Sequence, residues 1–210
     1  MKIKPNNTLQ AQPKDARHKY ALVLVTRRQT ILMRRIAEVM TSEGFLHLSV
    51  SDIAEKAGCG RSTLYTIAPT KEAIFLHCVN EIHNFLGAEY LSVEVRNREI
   101  IDVLRDLVER ALVTMPFLSK QYFMDAAATP AVQQSIDSYN ELSIGRVTLL
   151  MERGIARKEL RAMDTALAAE CWYNNLLAFL RQEPSPEAEN KRRSRVEEVM
   201  ELIHAGLLNR

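Results

Sequence analysis

The chain has 210 residues, of which 47% are hydrophobic, and its formal net charge is +2. This composition is typical of a folded protein of one or two domains and argues against a disordered chain. The three cysteines are widely spaced and form no CxxC pair, which argues against a disulfide framework or a zinc site. The sequence has no signal peptide and no apolar run of about 18 residues. We therefore expect a cytoplasmic protein without a membrane partner.

Residues 1–24 are predicted to form a flexible basic arm, because residues 1 to about 20 are polar and interrupted by prolines. Between Asp15 and Glu38 there is no acidic residue. This segment contains the basic residues Arg17, Lys19, Arg27, Arg28, Arg34 and Arg35. The run is either a solvated charged face or a surface that contacts phosphate.

Two helices are predicted after this arm. Apolar residues recur at helical spacing from about residue 27 to 42, and Gly44 follows at the position where a helix commonly ends. Ser49 is a predicted N-cap for the second helix, "VSDIAEKA", and Asp52 stands three residues later. Gly58 supplies the turn that ends this helix.

The third predicted helix, from about residue 61 to 68, is short and mostly polar. Pro69 ends it, and Thr70 caps a longer fourth helix. Short helices that cross closely need small or apolar residues at fixed positions, and this pattern is typical of a helix-turn-helix. These positions are occupied by Ile53, Ala54, Ala57, Cys59 and Leu64, together with Ile67 or Ala68. With that face buried, the side chains that point outward are Arg61, Ser62, Thr63, Tyr65 and Thr66.

Long helices are predicted for the remainder of the chain. Their start signals are Asn97, Thr129 with Pro130, Asp164, and Ser185 with Pro186. Few glycines and prolines interrupt them, so the sequence predicts an all-α protein.

The chain from about residue 28 to 75 resembles the N-terminal domain of the tetracycline-repressor (TetR) family of bacterial transcription regulators. The segments "VSDIAEKAG", "TLY" and "TKEAIF" follow one another in the order and spacing of that family, and Gly44-Phe45 fits as well. Farther along, "RGIARKELRAMD" is similar to a loop that many members carry before a dimerisation helix.

The resemblance implies about nine helices in two functional parts. Residues 25–70 would form a three-helix DNA-binding domain with a helix-turn-helix, and residues 71–210 a helical effector-binding and dimerisation domain. The implied function is a transcriptional repressor that binds operator DNA as a homodimer and is released by a small-molecule effector. A regulator of the same fold that answers to a protein partner, or has no ligand, is the alternative. No enzyme motif is present, and no cofactor is expected.

The resemblance also implies the DNA contacts, position by position. Bases or nearby phosphates would be contacted by Arg61, Ser62, Thr63 and Thr66. Phosphate or backbone contacts would come from Arg27, Arg28, Ser49, Ser51, Tyr65 and Lys71. Arg61 is the candidate for reading guanine, because its guanidinium matches the O6 and N7 acceptors.

Four positions depart from the family pattern. Ile67 and Ala68 replace an aromatic or histidine and a phenylalanine, Gly60 replaces a common capping serine, and Lys158 occupies a frequent glycine position. Ile67 cannot donate a hydrogen bond to phosphate, and glycine is a tolerated N-cap. We expect these differences to affect phosphate contacts and operator preference rather than the fold.

The helix "TALAAECWYNNLLAFL" is apolar on two faces, which predicts burial on both sides. We expect it to form a four-helix bundle across a two-fold axis with the last helix and their two counterparts, and a monomer core is the alternative. The predicted dimer interface comprises Leu167, Cys171, Asn174, Ala178, Val196, Val199, Met200, Ile203 and Leu207.

A pocket for a mostly apolar small molecule is predicted between the middle helices. The candidate lining residues are Phe85, Phe117, Tyr122, Phe123, Tyr139, Trp172, Tyr173 and Asn174. Ordinary core packing is the alternative for each of them. Cys59 is either a redox sensor or, as the motif favours, a buried residue. His77, Glu81 and His83 are interpreted as a solvated face rather than a metal site, and no bound metal is expected.

Overall fold

The computed structural model describes residues 27–114, 118–180 and 186–208. The predicted arm, residues 1–24, lies outside these ranges. Within them the chain is all-α, as predicted, and forms nine helices. These are α1 (Arg27–Glu43), α2 (Val50–Ala57), α3 (Arg61–Tyr65), α4 (Lys71–Leu91), α5 (Ile100–Thr114), α6 (Lys120–Ala127), α7 (Pro130–Ala156), α8 (Thr165–Leu180) and α9 (Pro186–Leu207). None of the helices in these ranges is long and apolar enough to span a membrane.

The start and stop signals around α2 have the predicted geometry. Ser49 Oγ accepts a hydrogen bond from the Asp52 N–H at 3.2 Å, and Asp52 Oδ2 accepts one from the Ser49 N–H at 2.8 Å. This reciprocal capping satisfies two backbone donors that the first turn of a helix leaves free. Gly44 and Gly58 have φ values of +82° and +68°, a left-handed conformation that disfavours a side chain.

Two predicted boundaries differ from the structure. Helix α3 ends at Tyr65 rather than near residue 68. Helix α5 begins at Ile100, because Asn97 has a φ of +60° and lies in a turn before it. The Ile100 N–H donates to Glu159 Oε2 at 2.8 Å, so a side chain distant in sequence satisfies this helix start. The sequence prediction also missed α6, whose N-cap is Ser119.

One hydrophobic cluster lies beneath the helix-turn-helix. It joins α1, α2 and α3 to the first half of α4 and to α6 and the start of α7. The rings of Phe45 and Phe75 stack at its centre with centroids 3.7 Å apart, and Tyr122 meets Phe75 edge-on at 5.6 Å. The packing unit beneath the helix-turn-helix therefore extends well beyond residue 70.

A second hydrophobic cluster surrounds Trp172 and joins α5, α7, α8 and α9 to the end of α4. Trp172 Nε1 donates to Nε2 of His204 at 3.1 Å, and both side chains are buried. Burial is the main cause that lowers the pKa of His204, to about 4. This neutral pair fixes α8 against α9. Since α4 contributes to both clusters, it connects the helix-turn-helix with the larger part of the chain.

Candidate functional site

Helix α3 is held in place by one buried side chain and a short network of backbone hydrogen bonds. The side chain of Leu64, on the inner face of α3, is fully buried. The Gly60 carbonyl accepts from the Thr63 and Leu64 N–H groups at 3.0 and 3.3 Å. The Cys59 N–H donates back to the Ala54 carbonyl of α2 at 2.8 Å. Helix α2 and the turn after it thus determine the direction of α3, although α3 is only five residues long.

The outer face of α3 is polar and exposed, as predicted. Its exposed side chains are Arg61, Ser62, Thr63, Tyr65 and Thr66. Arg61 forms no ion pair with any described residue. Thr66 Oγ1 donates to the Thr63 carbonyl at 2.6 Å, which leaves its oxygen as an acceptor. Exposed polar side chains on a short helix are the groups that can contact base edges in a major groove.

The other residues predicted to contact DNA lie on α2 and near the starts of α1 and α4. Ser51 is exposed on α2, and the Ser49 hydroxyl caps that helix. Lys71 Nζ donates to the Leu46 and Leu48 carbonyls at 2.9 and 3.0 Å. Lys71 therefore holds the loop between α1 and α2 with two of the three donors of its ammonium group, and its predicted phosphate contact stays a prediction. The side chains of Arg27 and Arg28 lie outside the described residues.

The four departures from the family pattern have physical explanations. Gly60 is an N-cap with φ −86° and ψ 152° and no side-chain hydrogen bond. Ile67 and Ala68 follow the end of α3 and pack, partly buried, against the cluster beneath it. Lys158 has a φ of +62°, the left-handed conformation that explains why glycine suits this position.

Residues 32–78 match the model of a family described as bacterial regulatory proteins, tetR family. Within residues 32–78 the chain therefore carries a helix-turn-helix domain of the TetR type. The matched region contains α2 and α3 and most of α1, which is the segment that the resemblance indicated. No curated protein matches the sequence.

Solved structures of transcriptional regulators share the TetR-type fold over nearly the whole chain. One is a TetR-family regulator from Cytophaga hutchinsonii, with a TM-score of 0.71, 13% identity, and coverage of 90% of this chain and 98% of that one. A regulator from Saccharomonospora viridis, solved in complex with choline, has a TM-score of 0.69, 14% identity, and coverage of 86% and 97%. The ketosteroid regulator KstR2 of Mycobacterium tuberculosis has a TM-score of 0.63, 18% identity, and coverage of 89% and 97%. At these identities the likeness shows the fold alone.

The predicted dimer residues fall into two groups. An exposed stripe on α8 consists of Leu167, Cys171, Asn174 and Ala178. On α9, however, Val196, Met200 and Leu207 are buried in the cluster around Trp172, and Ile203 packs partly buried against it. Val196, Met200 and Leu207 therefore belong to the core of the chain rather than to an exposed interface, and for Ile203 the interface stays a prediction. Val199 is partly buried, and Leu202, which the prediction omitted, is 73% exposed on α9.

Most of the predicted pocket residues belong to other parts of the molecule. Tyr122 and Phe123 pack in or against the cluster beneath the helix-turn-helix, and Trp172 and Tyr173 are buried in the second cluster. Phe85 and Asn174 are exposed, and Phe117 lies outside the described residues. Burial in a close-packed core removes Tyr122, Trp172 and Tyr173 from any cavity wall, whereas Phe123 is only partly buried. Among the candidates in the described ranges, only Tyr139 lines the cavity between α4 and α7.

That cavity is an open groove of about 870 Å³ between α4 and α7, here called the α4/α7 groove. The His83 ring stacks on Tyr139 with centroids 4.3 Å apart, and Ser135 Oγ lies 3.3 Å from His83 Nδ1. Ser135 also donates to Asn80 Oδ1 at 2.7 Å. Burial lowers the pKa of His83 to about 4, so its ring is neutral at pH 7. The solvated face predicted for His83 is therefore wrong.

Sequence reasoning missed Arg146, the charged residue at the end of this groove. The available signal was the spacing on α7, where Leu142, Ser143 and Arg146 follow Tyr139 by three, four and seven residues and so share one helix face. The sequence did not show that this face of α7 lies opposite α4.

The remaining candidates are Cys59, His77 and Glu81. Burial raises the pKa of the Cys59 thiol, which lowers its reactivity as a thiolate. His77 and Glu81 are exposed. Within the described ranges no three His, Cys, Asp or Glu side chains come together as a metal site would require.

Proposed function

We propose that the protein is a transcriptional repressor that binds operator DNA as a homodimer and is released when a small molecule occupies the α4/α7 groove. In this assignment residues 25–70 bind DNA, and residues 71–210 bind the effector and dimerise. The exposed polar face of α3 carries the proposal, because a five-residue helix with a single buried leucine has no other evident use for that face.

Dimerisation is supported by apolar side chains exposed on neighbouring helices. Leu167 on α8 and Leu202 on α9 are 59% and 73% exposed, and the stripe between Leu167 and Ala178 is otherwise small or uncharged. Exposed apolar patches of this kind commonly mark interfaces. Two copies joined here would present two α3 helices, and an operator requires them to reach major grooves about 34 Å apart.

Control by a ligand is supported by the course of α4. Its first half, including Ile74 and Phe75, packs beneath the helix-turn-helix, and its second half lines the groove from Asn80 to Leu91. A ligand that prefers one position of α4 would therefore change the position of α3. This groove favours a small-molecule effector over the alternative of a protein partner or no ligand.

The decisive experiment measures binding to the DNA that flanks the gene of this protein, at several salt concentrations. Affinity is expected to fall steeply with salt, because phosphate contacts release counterions. Arg61→Ala is expected to lose about 1–3 kcal/mol at one base position, whereas Arg153→Ala, an exposed arginine on α7, is the matched control that leaves binding unchanged. Absent or salt-independent binding would overturn the proposal. If Arg61→Ala weakened binding equally whatever base stands at each position, Arg61 would contact a phosphate rather than a base.

A further inference from the structure

Arg146 is a partly buried cation that has no anionic partner among the described residues. Its Nη2 donates to the Tyr90 carbonyl at 2.6 Å, which uses one of the five N–H groups of the guanidinium. It forms no ion pair with any residue in the described ranges. Burial lowers the pKa of Arg146, while nearby Tyr90 and Tyr139 oppose that shift. An arginine nevertheless stays charged at neutral pH, and removing it from water without a counterion is unfavourable.

The rest of the groove supplies no charge that balances Arg146. None of the described residues that line it is an Asp or Glu. His83, whose pKa is about 4, is neutral at pH 7. A guanidinium binds carboxylate and similar oxyanions through paired N–H donors, and such bonds are stronger than those between neutral groups.

An apolar surface lies beside this cation. Leu91 and Leu142 line the groove and are 74% and 75% exposed, so each leaves most of its side chain in water. Leu142 is one helical turn before Arg146 on α7, and the stacked rings of His83 and Tyr139 continue the wall away from the charge. A ligand with an apolar body would cover these side chains while its charged end reaches Arg146.

We propose that the α4/α7 groove binds an organic monoanion with an apolar body, whose oxyanion group pairs with Arg146. This inference rests on the proposed function, in which the same groove is the effector site. It differs from the expectation of a mostly apolar effector, because the charge on Arg146 rejects cations and favours anions over neutral molecules of the same shape.

Two fluorescent probes with nearly the same aromatic body test this proposal. 1-Anilinonaphthalene-8-sulfonate carries an anion, and N-phenyl-1-naphthylamine is uncharged. The full chain is expected to bind the anionic probe saturably and at least about tenfold more tightly than the neutral probe. Arg146→Gln is expected to remove that preference and to leave binding of the neutral probe within about twofold. Arg153→Gln, on the same helix but outside the groove, is the matched control and is expected to retain it.

Equal affinity for the two probes would overturn the proposal. If Arg146→Gln weakened the binding of both probes equally, the role of Arg146 would be structural, and the proposal would also be overturned. Because that variant removes the hydrogen bond to Tyr90, a second measurement uses the unaltered protein. Decanoate is expected to displace the anionic probe, and the decyltrimethylammonium ion is not. Displacement by both would overturn the proposal. DNA binding by the same preparation is measured separately, so a failure there contradicts the proposed function, whereas a failure with the probes contradicts only the ligand class.

Discussion

The outer face of α3 and the α4/α7 groove are built in opposite ways. The face on α3 comes from one run of residues, 61–66, and depends on Leu64 and on hydrogen bonds within α2, α3 and the turn between them. The groove comes from two long helices, and its stacked rings, His83 and Tyr139, are far apart in the sequence. A site within one short segment is readable from residue order, whereas a site between helices requires knowing which faces meet. Three variants test this difference.

The largest effect is expected for Leu64→Ala, because Leu64 alone anchors α3 in the core. The loss of a fully buried leucine is expected to lower the free energy of unfolding by about 2–5 kcal/mol. Leu142→Ala is the matched control, since Leu142 is 75% exposed in the groove. Its change should stay within about 0.5 kcal/mol. Urea denaturation measures the free energy of unfolding of both variants. Similar decreases in the two would contradict the expected difference between the two regions.

Asp125→Asn tests whether the stability of the DNA-binding part also depends on a contact between residues that are distant in the sequence. Asp125 on α6 is buried and accepts hydrogen bonds from the Phe45 and Leu46 N–H groups at 2.5 and 2.8 Å and from Gln121 Nε2 at 2.6 Å. An amide cannot accept all three, so a loss of about 1.5–3 kcal/mol is expected in thermal or urea unfolding.

The same carboxylate gives this prediction a pH dependence. Burial alone would raise the pKa of Asp125, but the hydrogen bonds from Leu46, Phe45 and Gln121 together hold it below the ordinary value. Its stabilisation is therefore present at neutral pH and is lost as the pH falls below the ordinary range of an aspartate. The control is Asp137→Asn, whose exposed carboxylate accepts from Gln133 at 2.7 Å. An equal effect of the two variants would show that the contact across 80 residues adds nothing.

The smallest effect is expected for Gly60→Ser. Gly60 has an extended backbone, and an added Cβ would meet only ordinary contacts, at 3.7 Å from Ser62 Oγ. A serine hydroxyl can cap α3 there, so stability is expected to rise by a few tenths of a kcal/mol. Gly60→Ala is the control that adds the Cβ without the oxygen. Serine should exceed alanine in the midpoint of thermal unfolding; the reverse order would mean that capping does not limit α3.

The local signals were predictable because each depends on neighbours in the sequence. Ser49, Gly58 and Thr70 have the capping or turn conformations that their chemistry favours. The end of α3 and the start of α5 were not predictable in this way. Ile67 packs, partly buried, against the core, and Glu159, in the loop after α7, accepts a hydrogen bond from the first N–H of α5. Such contacts override local propensity.

The sequence by itself determined the all-α fold, the helix-turn-helix and the exposed face of α3, because helical periodicity and capping act over a few residues. Only the tertiary structure decided which aromatic side chains are core and which line a groove. It placed Tyr122 and Trp172 in cores, gave Lys71 a structural role, and left Arg146 beside an apolar wall without a carboxylate. The physical reason is that an apolar helix face can pack against several different neighbours, and the packing of all the helices together selects one of them.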